Sequence, residues 1–410
     1  MSPTPGIAVE VHVDLDTGTT FAGTIYFNTR RGQLGSTFMY DRDYLSSSDS
    51  FDISPDLPRA NVTSVTEGLP GALSDSAPDR LGRNLILKKV QSAAQDAGRR
   101  LPTLTEVDYL LGVSDLTRQG ALRYQRDSLD FLASGADVPK LIELPQLLNA
   151  AMIVARDARG ADEFAAVKAL LDAGTGSLGG ARPKASVRDG SRLLIAKFPH
   201  PEDEWDVEAW EATTLDLASA AGIQVPNHEL VGVEGKNVLL LERFDRRDGQ
   251  RVPYISGMTL LRSSDGVGRD YTELAEAITE LGSRVNDDLG DLWRRVAFSV
   301  IVNNSDDHLR NHGFLFEDGG WALSPMFDVN PNPDLGKERS TSIGFQTDSR
   351  ETARALMETA RDFGLTPGDA RRIWDEVLTA TENWRESAHA NGVKERDIDE
   401  FAESLDQHRH

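Results

Sequence analysis

Residues 303–312 read NNSDDHLRNH: three asparagines, two aspartates and two histidines in ten positions. They follow directly on the apolar run LWRRVAFSVIV (292–302). Upstream, Leu289, Leu292, Trp293, Val296, Ala297, Val300 and Ile301 recur at helical spacing, and Asp287 and Asp288 stand where a cap is expected. That pattern predicts a core helix that carries the polar stretch to a fixed position. Three readings compete for the stretch: a metal nest, a catalytic loop, or a solvated helix end.

His308 and His312 have the i, i+4 spacing of a zinc pair. A helical zinc motif of the H-E-x-x-H type needs glutamate after the first histidine, whereas Leu309 stands there. The segment is also not read as helical, so zinc is the weaker reading. Asp306 and Asn311 instead have the D-x-x-x-x-N spacing of a kinase catalytic loop. There the aspartate orients or deprotonates the acceptor hydroxyl, and the asparagine holds magnesium. Asp328, in SPMFDVNP, follows Asp306 by 22 residues and sits behind Phe327, like a metal-binding aspartate. Amide and carboxylate oxygens are the ligands that magnesium takes beside phosphates.

Earlier in the chain, GTGSLGGARPKAS (174–186) is rich in glycine. Gly174, Gly176 and Gly179 satisfy G-x-G-x-x-G, but a helix precedes them and Arg182-Pro183 follows, so a dinucleotide site is not expected. A P-loop fails because no Gly-Lys-Ser/Thr follows. The remaining readings are a loop whose backbone N–H groups approach phosphates and a plain surface loop. Lys197 ends a predicted strand, and Glu211 lies on the next predicted helix. Each alone is an ordinary solvated residue, yet a lysine on phosphates held by a helix glutamate is the kinase arrangement. Glycine loop, strand lysine, helix glutamate, hairpin, catalytic loop and metal aspartate occur in the order of a bilobal kinase.

The fold class expected is α+β, a bilobal protein-kinase-like fold with a mixed α/β N-terminal lobe and a mainly helical C-terminal lobe. Residues 7–40 alternate as short strands, and 69–98 turn helical up to Gly98. Two amphipathic helices follow, the second ending at Gly174; then come a hairpin over 185–198, a helix stopped by Gly222, and another hairpin. The blocks read as 1–125, 126–255 and 256–410. Hydrophobic residues at 39% and charged ones at 27% are those of an ordinary globular protein. No cysteine is present, so disulfides and thiolate metal sites are excluded. The net charge of −22 argues against strong nucleic-acid binding by this chain alone. No signal peptide or membrane span is read, and a cytoplasmic location is expected.

SLGGARPKA (177–185), LERFDR (241–246), NNSDDHLRNHGF (303–314) and SPMFDVNPNPD (324–334) resemble the HipA family of bacterial toxin kinases. SDSAPDRLGR (74–83) and QGALRY (119–124) are weaker matches to that family's N-terminal region. The resemblance implies a serine/threonine-protein kinase using ATP and magnesium. It implies Asp306 as the catalytic aspartate with His308 supporting the loop, and Asn311 and Asp328 as magnesium ligands. Ser177, Gly179, Gly180, Lys184 and Lys197 would bind ATP, with Lys197 on its phosphates, and Glu242, Arg243 and Phe244 would form the hinge facing adenine. Ser177 matches a loop serine that is autophosphorylated, adding negative charge that repels ATP. The implied partners are a HipB-like helix-turn-helix antitoxin, which binds the operator DNA, and an aminoacyl-tRNA synthetase as the phosphorylated target. Arg182-Pro183 departs from the Gln-Glu of some family loops. A small-molecule kinase of the same fold and an inactive corepressor module are the alternatives; the intact Lys197, Asp306, Asn311 and Asp328 argue against the second of these.

Overall fold

The computed structural model describes residues 7–30, 33–126, 131, 138–156, 161–175 and 182–409. The chain forms two compact units, Met1–Glu202 with Gly232–Ile255, and Asp203–Val231 with Ser256–His410. The first is mixed α/β and the second mainly helical.

In the first unit, strands β1 (Ile7–Leu15), β2 (Gly18–Arg30), β3 (Gln33–Tyr40), β4 (Ser64–Glu67) and β5 (Leu122–Gln125) make an antiparallel sheet ordered β4-β3-β2-β1-β5. The alternation in the sequence sets its faces: Val9, Val11 and Val13 are buried, while Glu10 between them is exposed. Gly23 is required where β2 meets β3, because a Cβ there would stand 2.3 Å from the Met39 carbonyl oxygen. Helices α1 (Arg80–Asp96), α2 (Leu144–Ala155) and α3 (Ala161–Asp172) follow. Gly98 and Gly174 take left-handed φ values of +60° and +68° at the expected helix stops. Strands β6 (Lys184–Asp189), β7 (Arg192–Lys197), β8 (His228–Val233) and β9 (Lys236–Glu242) form a second sheet ordered β6-β7-β9-β8.

Asp245 and the two arginines of LERFDR build a charged cluster after β9. Asp245 accepts from Arg243 Nε at 2.8 Å and Nη2 at 2.6 Å, from Arg246 Nη1 at 2.8 Å, and from the Gly120 N–H at 2.8 Å. Arg243 Nη1 also donates to the Thr117 carbonyl at 2.6 Å, and Arg246 Nη2 to that of Arg118 at 2.7 Å. The motif thus ties the end of β9 to residues 117–120. Burial works to raise the Asp245 pKa, but the two guanidinium groups outweigh it and hold the carboxyl well below the usual range.

The second unit begins with α4 (Val207–Ala220), closed by Gly222 at φ +78°. The sequence spacing puts Val207, Trp210, Leu217, Ala218 and Ala221 on one apolar face; all but half-buried Val207 are buried, and so are Glu208, Glu211, Thr213 and Thr214. Further on come α5 (Tyr271–Leu281), α6 (Val285–Ile301), the hairpin β10 (Gly313–Glu317) and β11 (Gly320–Leu323), then α7 (Pro367–Ala380), α8 (Trp384–Ala390) and α9 (Glu395–Asp406). Although α4 falls within the 126–255 block, it packs in this unit: Trp210 stacks on Phe401 of α9 with centroids 4.3 Å apart, and lies 6.1 Å from Trp384 of α8. Helix α6 is the predicted core helix, but Asp287 and Asp288 are not its cap. The helix starts at Val285, and Asp288 is buried on its first turn, accepting the Leu323 N–H at 3.0 Å. Among the described residues no helix is long and apolar enough to cross a membrane.

Replacing Asp245 by alanine strands two buried guanidinium groups and should destabilise the protein by about 3–5 kcal/mol. Lys89→Ala, at an exposed position on α1, should change stability by less than about 0.5 kcal/mol. Urea midpoints of the two variants against the wild type check the difference.

Candidate active site

The polar stretch after α6 is a built loop. Asn303 takes φ +51°, a left-handed value that asparagine tolerates, and turns the chain sharply away from the helix. Its Nδ2 donates to the Asn332 carbonyl at 2.7 Å, and the Asn332 N–H returns to the Asn303 carbonyl at 3.1 Å. The Asn304 N–H donates to the Ser299 carbonyl at 2.8 Å. The two asparagines therefore tie the loop down, one outward to residue 332 and one back to α6.

Asp306 and Asp307 are adjacent but opposite in environment. Asp307 is buried, and its Oδ2 accepts from Tyr271 Oη at 2.6 Å and Ser299 Oγ at 2.9 Å. Its Oδ1 lies 3.0 Å from His312 Nε2, and its carbonyl accepts from Thr341 Oγ1 at 2.8 Å. Arg339 is buried behind it, donating to Ser299 Oγ at 2.6 Å. Burial would raise the Asp307 pKa, but the charge and proximity of His312, then Arg339, hold it well below the usual carboxylate range. By contrast, Tyr271 is pushed well above its ordinary value by burial and by the Asp307 charge, so it stays a neutral donor.

Asp306 points the other way and is exposed. Its carbonyl accepts from the His308 N–H at 3.0 Å and from Asn311 Nδ2 at 3.2 Å. The Asn311 N–H donates in turn to the His308 carbonyl at 2.8 Å, opening the short 3-10 turn Leu309–Asn311. Asn311 is thus clipped to Asp306 through its amide nitrogen, which leaves the amide oxygen as the donor atom for a ligand. The Asp306 carboxylate accepts one hydroxyl, Ser340 Oγ, at 3.3 Å from Oδ1. The two histidines have separate tasks: His312 faces Asp307, while His308 supports the turn through its backbone.

Asp328 is half-buried at φ +58°, and the next residue is anchored to α4, where Thr214 Oγ1 donates to the Val329 carbonyl at 2.5 Å. Asn311 and Asp328 together offer an amide and a carboxylate oxygen, a donor set that fits magnesium completed by phosphate oxygens and water. Glu211 is buried on α4 in this unit.

The remaining predicted residues lie in the first unit. Lys184 and Lys197 face each other across the β6–β7 ladder. Lys197 is half-buried, whereas Lys184 is buried with its Nζ 3.9 Å from Asp79 Oδ2. Asp79 caps α1 through the Gly82 N–H at 2.6 Å, so the SDSAPDRLGR stretch places a carboxylate against the Lys184 charge. Burial raises the Asp79 pKa and the Lys184 charge opposes it. Glu242 is half-buried at the end of β9, with Arg192 Nη1 3.7 Å away. The side chain of Arg243 is committed to Asp245 and the Thr117 carbonyl, while its backbone N–H continues the ladder to Leu193 at 3.0 Å. A role for Arg243 beside a nucleotide is left to its backbone. Phe244 is half-buried, its ring 6.2 Å from that of Tyr254. Ser177, Gly179 and Gly180 lie outside the described residues.

The arrangement matches known proteins over most of its length. Residues 176–384 match the HipA-like C-terminal domain, and residues 13–106 match the HipA N-terminal domain. The chain belongs to the HipA family. It is 27% identical over 204 residues to a putative kinase of Sinorhizobium fredii, covering 46% of this chain and 47% of that protein. It is 25% identical over 141 residues to the serine/threonine-protein kinase toxin HipA of Shewanella oneidensis, covering 29% of this chain and 33% of that protein. The chain spans about half the length of the first of these relatives or less. In fold it is similar to HipA in the solved Shewanella oneidensis complex of HipA, HipB and operator DNA: TM-score 0.69 at 18% identity, over 97% of this chain and 95% of that one. A HipA-like, kinase-like fold of mixed α/β and helical parts is therefore established.

Sequence reasoning did not find Tyr271, Ser299, Arg339, Ser340 or Thr341. Tyr271 and Arg339 carry no local signal. The run RSTS (339–342), three hydroxyls behind an arginine, is the one trace of them in the sequence.

Asp307 contributes stability fully above the ordinary aspartate pKa of about 3.9 and loses it as pH falls toward its depressed folded value. Asp307→Asn should therefore cost stability at pH 7 and flatten the acid limb. Urea midpoints of the two proteins should converge as pH is lowered below about 4.

Proposed function

We propose that this protein is an ATP- and magnesium-dependent serine/threonine-protein kinase, the toxin of a HipA/HipB-like toxin–antitoxin pair. The observation that carries the reading is the loop itself: an exposed Asp306 carboxylate on a backbone pinned by buried Asp307, with Asn311 clipped to the Asp306 carbonyl. Family membership and the printed kinase names of the relatives support it.

In this reading Asp306 accepts the proton of a serine or threonine hydroxyl as its oxygen forms a bond to the γ-phosphorus of ATP and the bond to the β-phosphate oxygen breaks. The exposed carboxylate can meet an acceptor, and the rigid loop contributes orientation, since phosphoryl transfer depends on position and charge more than on covalent chemistry. Asn311 and Asp328 hold magnesium, which when bound neutralises phosphate charge. Lys197 binds phosphates, the glycine loop with Ser177, Gly179 and Gly180 covers them, and Glu242 to Phe244 present their backbone to adenine. Lys184, which faces Lys197 across the β6–β7 ladder, binds ATP beside it.

Regulation by phosphorylation of Ser177, a HipB-like antitoxin partner and an aminoacyl-tRNA synthetase target complete the proposal. The net charge of −22 assigns operator contact to the antitoxin, because phosphate backbones repel a surface so acidic. The HipB and operator DNA bound to the Shewanella protein support that partner.

Incubation with radiolabelled ATP and magnesium should label Ser177, and Asp306→Asn should lower labelling by at least about 100-fold, the usual scale for loss of a general base. Phosphoproteomes of cells expressing the chain and its Asp306→Asn variant should differ at a synthetase serine or threonine. Labelling that persists in the variant removes Asp306 from its role.

A further inference from the structure

Residues 339–346, RSTSIGFQ, cross the candidate active site as a strap bonded almost residue by residue. Arg339 donates to Ser299 Oγ at 2.6 Å, and the Ser340 N–H to the Ser305 carbonyl at 2.9 Å. Ser340 Oγ donates to Asp306 Oδ1 at 3.3 Å, and Thr341 Oγ1 to the Asp307 carbonyl at 2.8 Å. The Ser342 N–H bonds the Arg269 carbonyl at 3.0 Å, and its hydroxyl bonds Asp270 Oδ2 at 2.6 Å. The strap then reverses between Ile343 and Gln346, whose backbones exchange hydrogen bonds of 2.9 and 3.0 Å.

The two central residues of that reversal are Gly344 at φ +55° and Phe345 at φ +67°, a primed turn that demands left-handed backbone at both positions. Glycine meets this demand freely; phenylalanine does not, because its Cβ crowds the backbone. Among the described non-glycine residues at positive φ, Phe345 is the only aromatic one. It is held there by its own N–H, which donates to the buried Asp270 carboxylate at 2.7 Å. Its side chain is 86% exposed, so packing within this fold does not offset the strain. An aromatic kept at a strained position where glycine would suffice points to a task outside the fold.

We infer that Phe345 is a docking residue for a protein acceptor, receiving an apolar side chain of the acceptor near the serine or threonine that meets Asp306. The inference rests on the kinase reading above and adds a specificity contact to it. The strap that carries Phe345 also donates to Asp306, so the docking side chain and the acceptor carboxylate belong to one hydrogen-bonded piece. From Ser340 to Phe345 the chain can reach at most about 17 Å. An extended acceptor would therefore place the apolar residue within about five positions of its hydroxyl.

The test is a positional-scanning library of peptides with one central serine or threonine and each flanking position fixed in turn. The full-length protein is assayed with magnesium and radiolabelled ATP, and phosphate release without peptide is measured in parallel. The wild type should favour leucine, isoleucine or phenylalanine at one flanking position. Phe345→Gly should lose that preference by about tenfold, keep the basal phosphate release, and melt no lower than the wild type because glycine relaxes the turn. Phe345→Leu should retain the preference. The inference is overturned if the wild type shows no apolar preference, if it hydrolyses ATP but phosphorylates no peptide, or if Phe345→Gly lowers every peptide equally. A wild type that neither hydrolyses ATP nor labels any peptide removes the kinase reading and this inference with it.

Discussion

The loop after α6 depends on one buried charge. Asp307 is sealed among Tyr271, Ser299 and His312, with Arg339 behind Ser299, and each of these comes from a different part of the second unit. A carboxylate taken out of water is costly unless its oxygens are matched by donors and positive charge, so the elements that supply them must assemble around it. Helix α5 brings Tyr271, α6 brings Ser299, the loop brings its own His312, and the strap brings Arg339 and Thr341. The neighbouring Asp306 is held outward by the same construction. Exposure of one aspartate is the consequence of burial of the other.

The first unit repeats this solution. Asp245 is buried between Arg243 and Arg246, and through them the end of β9 is bound to residues 117–120. In both places a buried carboxylate of a motif serves architecture, and its neighbour along the chain is less protected: Asp306 is exposed and Phe244 is half-buried. Arg243 stands in the stretch expected as a hinge, and its guanidinium is taken up by Asp245 and the Thr117 carbonyl. Lys184 is buried against Asp79, the residue that caps α1. Lys197, its partner across the ladder, remains half-buried at the end of β7.

Local pattern carried much of the fold. The alternation in β1, the glycine stops at 98, 174 and 222, the two hairpins and the apolar stripe of α6 were all legible, because each follows from backbone geometry and a burial period within a few residues. Capping was less so. Asp287 and Asp288 look like caps for α6, yet Asp288 accepts the N–H of Leu323, 35 residues away, and the helix opens earlier. Helix α4 shows the same limit from another side. Its sequence predicts one apolar face, but it packs in the second unit with Trp210 on Trp384 and Phe401, and Glu208, Glu211 and Thr214 are buried as well.

The sequence by itself determined the order of the chemistry-bearing residues and the types that suit it: aspartate, asparagine five places on, and a second aspartate 22 residues after the first. It also determined the strands and helices that carry them, since those are written in short-range periodicity. Only the tertiary structure decided which of two adjacent aspartates is buried, that His312 belongs to Asp307, and that the RSTS strap lies on the loop after α6. These outcomes depend on which distant groups meet a carboxylate inside the protein, and such pairings have no period along the chain. The strained turn at Phe345 belongs with them, because a positive φ on an aromatic residue is imposed by Asp270 from outside the turn.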